Sequence, residues 1–478
     1  MSELLRFVET WWFWIDWGTF GAAVVSVPSV LVRRRGRPMA AISWILCLVS
    51  IPILGLFMWW LIGRSHLERR KRRKRRVHET MQKELQTIRG RIDEPPSPEL
   101  LEVRNMPPEM AESVFPATSG NRVELIDSQI AFDAMEKAVS EAKHHVHALF
   151  YIWKNDATGR RFRDLLKKKA QQGVEVRVLI DAIGSPVMAT KFTRPLRKAG
   201  AKVARFLPPQ WFSRTPRINF RNHRKILVVD GEVGFIGGFN MADEYRNEWR
   251  DFGVRIGGPA VDQLQEIFAE DWYYASNENL ADTDYFGSWA TGKKAHGATC
   301  SIVASGPDTH SSPIHDAIFM TINATKERLL IMTPYFIPSR ALLAAMRAAV
   351  YRGVDVKLMV PAKSDVMLVR HASRSYYPEL LEAGARIFEY QPAMLHAKVI
   401  VFDDDLTLVG SANLDSRSFR LNFEASCFIG SKNLNASLAE EFERDIERSK
   451  EVSLDDLDQL PWHAKLASST AHLLSPLL

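Results

Sequence analysis

A frame of 29 residues occurs twice in this chain of 478 residues, 173 positions apart, and it constrains the fold more than any other feature. The polar residues of both copies have the same spacing. The first copy holds His223, Lys225, Asp230, Gly237, Gly238, Asn240 and Asp251, and the second holds His396, Lys398, Asp403, Gly410, Ser411, Asn413 and Glu424. A duplicated half-domain brings equivalent residues together across a pseudo-twofold axis. The repeat therefore predicts two similar halves that build one composite site.

The residues between these landmarks predict the same local structure in each copy. Each His-x-Lys precedes an apolar run, at 226–229 and 399–402, which is typical of a buried strand ending in a turn. His and Lys at i and i+2 then project from one face of the chain. A second apolar segment, at 233–236 and 406–409, leads into Gly-Gly-Phe-Asn or Gly-Ser-Ala-Asn. Small residues there let the backbone approach a ligand, and the asparagine adds a hydrogen-bond donor.

This set of side chains suits an anionic, tetrahedral phosphorus centre. Two lysines and the predicted phosphate-binding residues Asn240, Asn413 and Ser411 would hold the non-bridging oxygens. One neutral imidazole would attack and become a phosphohistidine, while the other would protonate the leaving alkoxide. Asp251 and Glu424, each 28 residues beyond its own histidine, are the predicted orienting carboxylates. This chemistry requires no metal and no cofactor.

Asp230 and Asp403 complete the repeated His-x-Lys-x4-Asp string and are counted with His223, Lys225, His396 and Lys398 in the predicted catalytic set. An aspartate at a strand end is usually a turn former or the partner of a lysine. We therefore interpret these two members as structural.

The chain resembles the bacterial cardiolipin synthases of the phospholipase D superfamily, from about Met39 to its last residue. The resemblance rests on both motif regions and on three further stretches: Asn222–Lys225 with Gly237–Asn240, Leu395–Lys398 with Gly410–Glu424, Met332–Pro338, Glu382–Gln391 and Ser475–Leu478. It implies phosphatidyl transfer between two phosphatidylglycerol molecules, with glycerol as the second product and a covalent phosphatidyl-histidine intermediate. It also implies His223 as the nucleophile and His396 as acid and then base, although the near symmetry of the sequence leaves this order open.

Two other functions remain as alternatives. A hydrolase of the same superfamily would use the same histidines and release phosphatidic acid, because water and an alcohol differ only in how the pocket admits them. An inactive membrane scaffold is the third hypothesis, but the intact second frame argues against it. The expected partners are phosphatidylglycerol and anionic membrane lipid, and the oligomeric state stays open.

Charge is placed unevenly along the chain. Residues 1–78 contain fourteen Lys and Arg against four Asp and Glu, a net charge of +10, whereas the whole chain carries +7, so residues 79–478 carry −3. A slightly acidic catalytic region argues against a nuclease, because binding a nucleic acid backbone favours a basic face. We therefore expect no nucleic acid partner.

The positive charge flanks two hydrophobic segments, at about 11–32 and 39–63. The second contains 25 residues without a charge, which predicts a transmembrane helix, while Asp16 and Pro28 leave the first either spanning or re-entrant. Nine basic residues between Arg64 and Arg76 outnumber the four between the segments, so the catalytic region is expected in the cytoplasm, attached to the bacterial inner membrane as a multi-pass protein. The same basic run would also attract anionic lipid.

The expected organisation is a membrane anchor at 1–76, a linker at 77–116, and phospholipase D-like halves at 117–290 and 291–478. Strands alternate with helices in each half, which predicts an α/β fold with a mostly parallel mixed sheet flanked by helices, packed as a pseudo-twofold bilobed domain. The first half has an additional loop at 206–220, either a lipid-contacting loop or an ordinary packed one.

Cysteine and histidine outside the frames give no sign of a metal site. The three cysteines, Cys47, Cys300 and Cys427, form neither a disulfide framework nor a zinc pattern, which fits a reducing compartment. His144, His145 and His147 are close in sequence but have no convincing fourth ligand. We expect them to be structural.

Overall fold

The computed structural model describes residues 2–34, 38–60, 114–186, 191–208, 220–281, 283–286, 297–308 and 312–475. These residues form two compact units, the N-terminal helices and the α/β body. The predicted basic run at 64–76, most of the predicted linker at 77–116 and residues 209–219 of the additional loop lie outside the described residues.

The N-terminal unit contains α1 (Ser2–Arg33), α2 (Pro38–Ser50) and α3 (Pro52–Met58). The single helix expected at 39–63 is thus divided after Ser50, because Pro52 has no N–H to continue the α2 ladder. Gly55 permits a close approach at this break, since a Cβ there would lie 2.5 Å from the Cys47 carbonyl oxygen. In the part of the chain that the structure describes, no helix combines the length and the apolar character needed to cross a membrane.

The α/β body is built on one sheet of sixteen strands, counted over the described residues. Their bounds are β1 Thr118–Asp127, β2 His145–Phe150, β3 Glu175–Asp181, β4 Lys202–Phe206, β5 Arg221–Asn222, β6 Ile226–Val229, β7 Val233–Gly237, β8 Phe252–Gly257, β9 Ala298–Ser305, β10 Arg328–Met332, β11 Asp355–Pro361, β12 Arg386–Tyr390, β13 Val399–Phe402, β14 Leu406–Gly410, β15 Asn422–Gly430 and β16 Ser449–Val452.

Helices connect and cover these strands. They are α4 Ser128–Glu141, α5 Ala157–Gln171, α6 Arg194–Lys198, α7 Asp243–Asn247, α8 Ala260–Ser276, α9 Pro313–Ala324, α10 Arg340–Tyr351, α11 Met367–Arg374, α12 Tyr377–Ala383, α13 Ser416–Arg420, α14 Lys432–Ile446, α15 Leu454–Asp458 and α16 Trp462–Leu474, with 3-10 turns at Lys191–Thr193 and Thr283–Tyr285. The long helix α8 packs with central strands of both halves in the largest apolar core.

The expectation of a mostly parallel sheet is wrong in its detail. Among the described strands, β2-β3-β4 and β10-β11-β12 run parallel, with helices as the crossovers, and the short β5 pairs parallel with β15. The strands after each His-x-Lys form antiparallel hairpins, β6 with β7 and β13 with β14. Their connections are turns of a few residues, and such short connections permit only antiparallel pairing. The sheet is therefore mixed, with antiparallel pairs in the majority.

The two halves are joined edge to edge in one domain. The strand order is β4-β3-β2-β6-β7-β8-β1 in the first half and β9-β15-β14-β13-β10-β11-β12-β16 in the second. β1 pairs antiparallel with β9, so one continuous sheet crosses the junction. The matching order of equivalent strands on either side agrees with the predicted pseudo-twofold repeat.

Candidate active site

The hairpins β6–β7 and β13–β14 place the two His-x-Lys sequences. All four side chains are buried directly before β6 or β13. Each hairpin turns at the aspartate of the motif, in the left-handed region at φ +55° for Asp230 and +48° for Asp403. Aspartate tolerates this region better than most residues.

The aspartate side chains support the turns and the strand that precedes them. The Asp230 carboxylate accepts hydrogen bonds from the backbone N–H groups of residues 143, 144 and 145, at 2.7 to 2.8 Å. Asp403 accepts equivalent bonds from residues 326, 327 and 328. These contacts agree with the structural interpretation of both residues, and they tie each turn to the start of β2 or β10.

Two backbone bridges bring the halves together at the histidines. The His223 N–H donates to the Phe423 carbonyl at 2.9 Å, and the His396 N–H donates to the Arg250 carbonyl at 2.7 Å. The residues before the histidines make parallel bridges as well, Asn222 with Phe423 and Leu395 with Arg250. Each histidine is therefore fixed next to the residue that precedes the carboxylate of the opposite half.

The orienting carboxylates consequently cross between the halves. Nδ1 of His223 lies 3.0 Å from Oε2 of Glu424, and Nδ1 of His396 lies 2.7 Å from Oδ2 of Asp251. Each predicted orienting carboxylate thus lies on the histidine of the opposite half, because the backbone bridges connect the halves reciprocally. With Nδ1 directed at a carboxylate in both pairs, Nε2 is the nitrogen available for reaction.

The lysines lie against the same histidines. Lys225 Nζ donates to the His223 carbonyl at 2.6 Å. Lys398 Nζ lies 2.7 Å from Nδ1 and 2.9 Å from Nε2 of His396. Burial lowers the pKa of Lys225 well below its usual value and the pKa of Lys398 to about 8. The charge of Lys398 also lowers the pKa of Lys225, and both lysines lower the pKa of His223. A bound anion would relieve this concentration of positive charge.

Both imidazoles are held neutral at physiological pH. Burial lowers the pKa of His223 to about 4, although the Glu424 carboxylate opposes that shift. Burial, together with the charges of Lys398, Lys225 and His223, lowers the pKa of His396 well below its usual value. Because each histidine is affected by groups of the other half, the two motifs form one electrostatic site.

The two carboxylates differ in protonation. Burial raises the pKa of Asp251 to about 7. Burial also pushes the pKa of Glu424 upward, but the nearby His223, Lys225 and Ser411 together outweigh it and lower that pKa. The His223–Glu424 pair thus holds an ionised carboxylate at neutral pH, whereas the His396–Asp251 pair titrates close to neutrality.

The difference between Gly238 and Ser411 belongs to this asymmetry. The Ser411 hydroxyl donates to Glu424 Oε2 at 2.5 Å and accepts from the Ala425 N–H at 3.0 Å. The buried Ser411 hydroxyl is engaged in these bonds, and its predicted role in phosphate binding stays a prediction. At the equivalent position, a Cβ on Gly238 would lie 2.2 Å from Oδ1 of Asp251, so only glycine leaves room for that carboxylate.

The asparagines are also unequal. Asn240 accepts the Ile152 N–H at 2.9 Å through Oδ1, and its buried Nδ2 finds no hydrogen bond with the described residues. Asn413 uses its Nδ2 on Asp415 at 3.1 Å, and Asp415 also caps α13. Asn240 therefore keeps donor capacity for a ligand beside the Tyr245 hydroxyl, whereas one of the two Nδ2 hydrogens of Asn413 is engaged by Asp415.

Three aromatic residues in the site were missed from the sequence. Tyr151 lies with its ring 4.8 Å from the His223 ring, and Lys225 Nζ is 5.3 Å from the same tyrosine ring. Tyr245 and Trp249 lie 5.1 and 5.2 Å from the His396 ring. Tyr245 and Trp249 lie inside the first copy of the frame, and the equivalent residues of the second copy are Ser418 and Asn422. This difference between the copies is the sequence signal that could have identified them.

The histidine cluster at the start of β2 is packed among side chains. His147 Nδ1 lies 2.9 Å from Gln265, and its Nε2 lies 3.3 Å from Arg177. No group of three or more metal-ligating side chains within the described residues could hold a metal ion.

Comparison with known proteins gives a consistent result over most of the chain. The family model described as "Cardiolipin synthase, PLD-like domain" matches residues 135–272 and 318–446, more than half of the chain. A cardiolipin synthase of Geobacillus kaustophilus is 34% identical over 471 residues, covering 95% of this chain and 92% of the relative. Another, of Oceanobacillus iheyensis, is 35% identical over 476 residues, covering 96% of this chain and 98% of the relative.

Among solved structures, the phosphatidylserine synthase of Haemophilus influenzae has a similar fold. The similarity has a TM-score of 0.57 at 17% sequence identity and covers 75% of this chain and 95% of that chain. At this level of identity the likeness supports the fold alone.

Proposed function

Since the chain belongs to the cardiolipin synthase family of phospholipase D-like proteins, we infer that it transfers a phosphatidyl group between two phosphatidylglycerol molecules, giving cardiolipin and glycerol. The observation that carries this inference is the pair of crossed histidine–carboxylate contacts, in a chain similar to cardiolipin synthases over almost its whole length. Phosphatidylglycerol would be both donor and acceptor.

The mechanism we propose uses one histidine as nucleophile and the other as acid and base. Nε2 of the nucleophile forms a bond to phosphorus while the bond from phosphorus to the glycerol oxygen breaks, and the second imidazole gives its proton to that oxygen. The glycerol hydroxyl of a second phosphatidylglycerol then loses its proton to the same imidazole and attacks phosphorus. The Nε2–P bond breaks, which releases cardiolipin and restores both histidines.

The unequal carboxylates support His223 as the nucleophile. Phosphatidyl transfer to Nε2 leaves a positive charge on the ring, which the ionised Glu424 stabilises at Nδ1. The His396–Asp251 pair titrates near neutrality and can hold the proton that the leaving oxygen needs. Since the proton belongs to the coupled pair, its apparent pKa is a property of both residues.

Lys225, Lys398 and Asn240 would hold the non-bridging phosphate oxygens. The ammonium groups lie beside the two imidazoles, and Asn240 has an unused buried donor. Donors already in place where charge develops in the transition state are the largest source of rate in many enzymes.

The N-terminal unit would anchor the enzyme in the bacterial inner membrane, with the catalytic region facing the cytoplasm. Large apolar side chains are exposed on all three of its helices, including Val25 on α1, Leu46 on α2 and Phe57 on α3. Exposed apolar surface on this scale is typical of a membrane contact. A reporter fusion after residue 78, compared with one before residue 2, would test the orientation through its accessibility in intact cells.

The test of the activity is to incubate the purified chain with phosphatidylglycerol as the sole phospholipid in mixed micelles and to resolve the products by mass. Cardiolipin with an equal amount of glycerol supports the transfer. Phosphatidic acid as the only product would instead assign a hydrolase. His223→Ala and His396→Ala should abolish turnover, and either variant retaining near wild-type activity would contradict the two-histidine mechanism.

A further inference from the structure

The last helix of the chain packs beside a short helix near the active site. α16 lies against α11, and Ala471 is fully buried with Val369 and Ala372 in a small apolar cluster. The Ser375 hydroxyl and His472 Nδ1 are 2.9 Å apart, and the Tyr376 hydroxyl donates to Ser475 at 3.1 Å. These contacts hold the two helices as one surface of the α/β body.

Large apolar side chains remain exposed on both helices. On α16, Trp462 and Leu473 are 75% and 78% exposed, and Leu466 is exposed between them. At 100° per residue these three positions fall within about 40° of one another, so they form one stripe along the helix. At the start of α11, Val366, Met367 and Leu368 are exposed in succession, and Met367 is 74% exposed.

The polar residues of the two helices carry only one sign of charge. Met367–Arg374 and Trp462–Leu474 contain Arg370, Arg374, Lys465 and three histidines, and no carboxylate. Arg374 is paired with Glu389, so Arg370 and Lys465 are the cationic residues beside the apolar side chains. An apolar stripe with cationic residues beside it is complementary to an anionic lipid surface, which attracts Lys and Arg through its headgroups and apolar side chains through its acyl region.

This surface adjoins the active site. Asp365 directly precedes the exposed residues of α11 and accepts a hydrogen bond from the Tyr335 hydroxyl at 2.7 Å. Its negative charge acts on the ammonium group of Lys398, and Tyr335 interacts electrostatically with Tyr245, whose ring contacts His396. The exposed apolar residues of α11 therefore begin one residue from a group that acts directly on the catalytic site.

We propose that the surface formed by Val366–Leu368 at the start of α11 and by Trp462, Leu466 and Leu473 of α16 docks the α/β body on an anionic lipid bilayer, close to the active site. The proposal rests on the proposed function, since a phosphatidyl group must reach a buried site while its two acyl chains stay in an apolar medium. Docking close to the site shortens the distance over which those chains leave the bilayer.

Activity on two physical forms of the same substrate tests the proposal. The full chain is reconstituted in phosphatidylcholine vesicles and supplied either with long-chain phosphatidylglycerol in the bilayer or with dihexanoyl-phosphatidylglycerol as a dissolved monomer. Met367→Glu combined with Leu473→Glu should lower activity on bilayer substrate by about tenfold or more, since each variant puts a charge where apolar surface enters the lipid. Activity on the monomer should change by less than about twofold.

The matched control is Ile130→Glu combined with Tyr351→Glu, two exposed apolar-to-acid changes on α4 and α10. This control should leave both activities unchanged. The proposal is overturned if the docking variant behaves like the control on bilayer substrate, or if it loses activity equally on both forms.

A measurement without turnover separates this proposal from the proposed function. An environment-sensitive fluorophore is attached at Leu473→Cys or at Tyr351→Cys, the signal of the label on native cysteines is subtracted, and the vesicles carry nitroxide-labelled acyl chains. Quenching should be strong at position 473, should rise with the phosphatidylglycerol content, and should be weak at 351. Equal quenching at both positions overturns docking even in an active enzyme, whereas strong quenching at 473 in a chain inactive on both substrates would preserve docking and reject the proposed activity.

Discussion

At the scale of single residues, the site buries two carboxylates and two lysines close together, and each of these groups needs partners to offset the cost of burial. Removing a carboxylate or an ammonium group from water costs several kcal/mol unless partners compensate. Each carboxylate accepts from an imidazole and from further donors, such as Phe252 N–H on Asp251 and Ser411 on Glu424. Lys225 donates instead to the backbone carbonyl of His223, whereas Lys398 contacts both the carbonyl and the ring nitrogens of His396.

Two single variants, Gly238→Ser and Ser411→Gly, test the difference between the surroundings of the Asp251 and Glu424 carboxylates. Gly238→Ser should lower kcat by about 10²-fold or more, because the new Cβ displaces the Asp251 carboxylate and with it the His396 ring. Ser411→Gly should lower kcat by at most about tenfold, because it removes one hydrogen bond to Glu424. Steady-state kinetics on both variants makes the comparison, and equal losses would contradict it.

Asp251→Asn tests the raised pKa of Asp251. The stability of this variant relative to wild type should increase as the pH rises. Between about pH 4 and pH 7 the folded state keeps the Asp251 proton that the unfolded state has released, so wild-type stability falls as pH rises through this window. A shift from 3.8 to about 7 corresponds to a penalty on the order of 4 kcal/mol above pH 7. Thermal unfolding in detergent from pH 5 to pH 8 should therefore show a steeper fall in Tm for wild type than for Asp251→Asn.

Glu424→Gln is the control for this pH dependence. The pKa of Glu424 is lowered in the folded state, so its contribution to stability is present above the unfolded value of 4.5 and is lost only at lower pH. The difference in Tm between this variant and wild type should stay constant from pH 5 to pH 8. Parallel Tm curves for wild type and Asp251→Asn would show that Asp251 is ionised in the folded protein.

At the scale of elements, the His-x-Lys hairpins are held by their turns and not by the catalytic residues. Asp230 and Asp403 adopt positive φ and bind three successive backbone N–H groups before β2 and β10. Each His-x-Lys-x4-Asp sequence thus has two proposed catalytic side chains, His and Lys, before its strand and one structural side chain, Asp, after it. This arrangement explains why the aspartate recurs in both copies without contacting either imidazole ring.

Asp230→Ala should therefore lower stability and leave catalysis largely intact. The variant loses the bonds to residues 143–145 and replaces aspartate, whose polar side chain tolerates the left-handed region, with alanine, which does not, at a cost of about 2 kcal/mol or more. Asp230→Asn keeps an acceptor and tolerates the same φ, so it should cost less than about 1 kcal/mol. Chemical unfolding and kcat per folded molecule provide the measurements, and a large loss of kcat in folded Asp230→Asn would assign the aspartate to the chemistry.

At the scale of the whole molecule, one chain supplies every part of the site. The β1–β9 pairing and the reciprocal bridges at His223 and His396 connect the halves within a single chain. Neither half alone contains a histidine together with the carboxylate that orients it. Half-domain duplication has therefore produced one site instead of two.

Mixing inactive chains should not restore activity. A chain with His223→Ala lacks the nucleophile and a chain with His396→Ala lacks the acid, and co-expression of the two leaves each site with one histidine. The measurement is cardiolipin formation by the co-purified mixture, with wild type diluted into an inactive double variant as the control for detection. Substantial recovery would show that the halves pair between chains.

The sequence by itself determined the duplication, the hairpins after each His-x-Lys, the identity of the histidines, lysines and carboxylates, and the structural nature of the aspartates, because spacing and strand periodicity are local properties. Only the tertiary structure decided which carboxylate faces which histidine, that Ser411 and Asn413 are engaged within the protein, and that Tyr151, Tyr245 and Trp249 border the imidazoles. The crossed pairing depends on backbone bridges between residues about 145 to 200 positions apart, and no local pattern records such contacts.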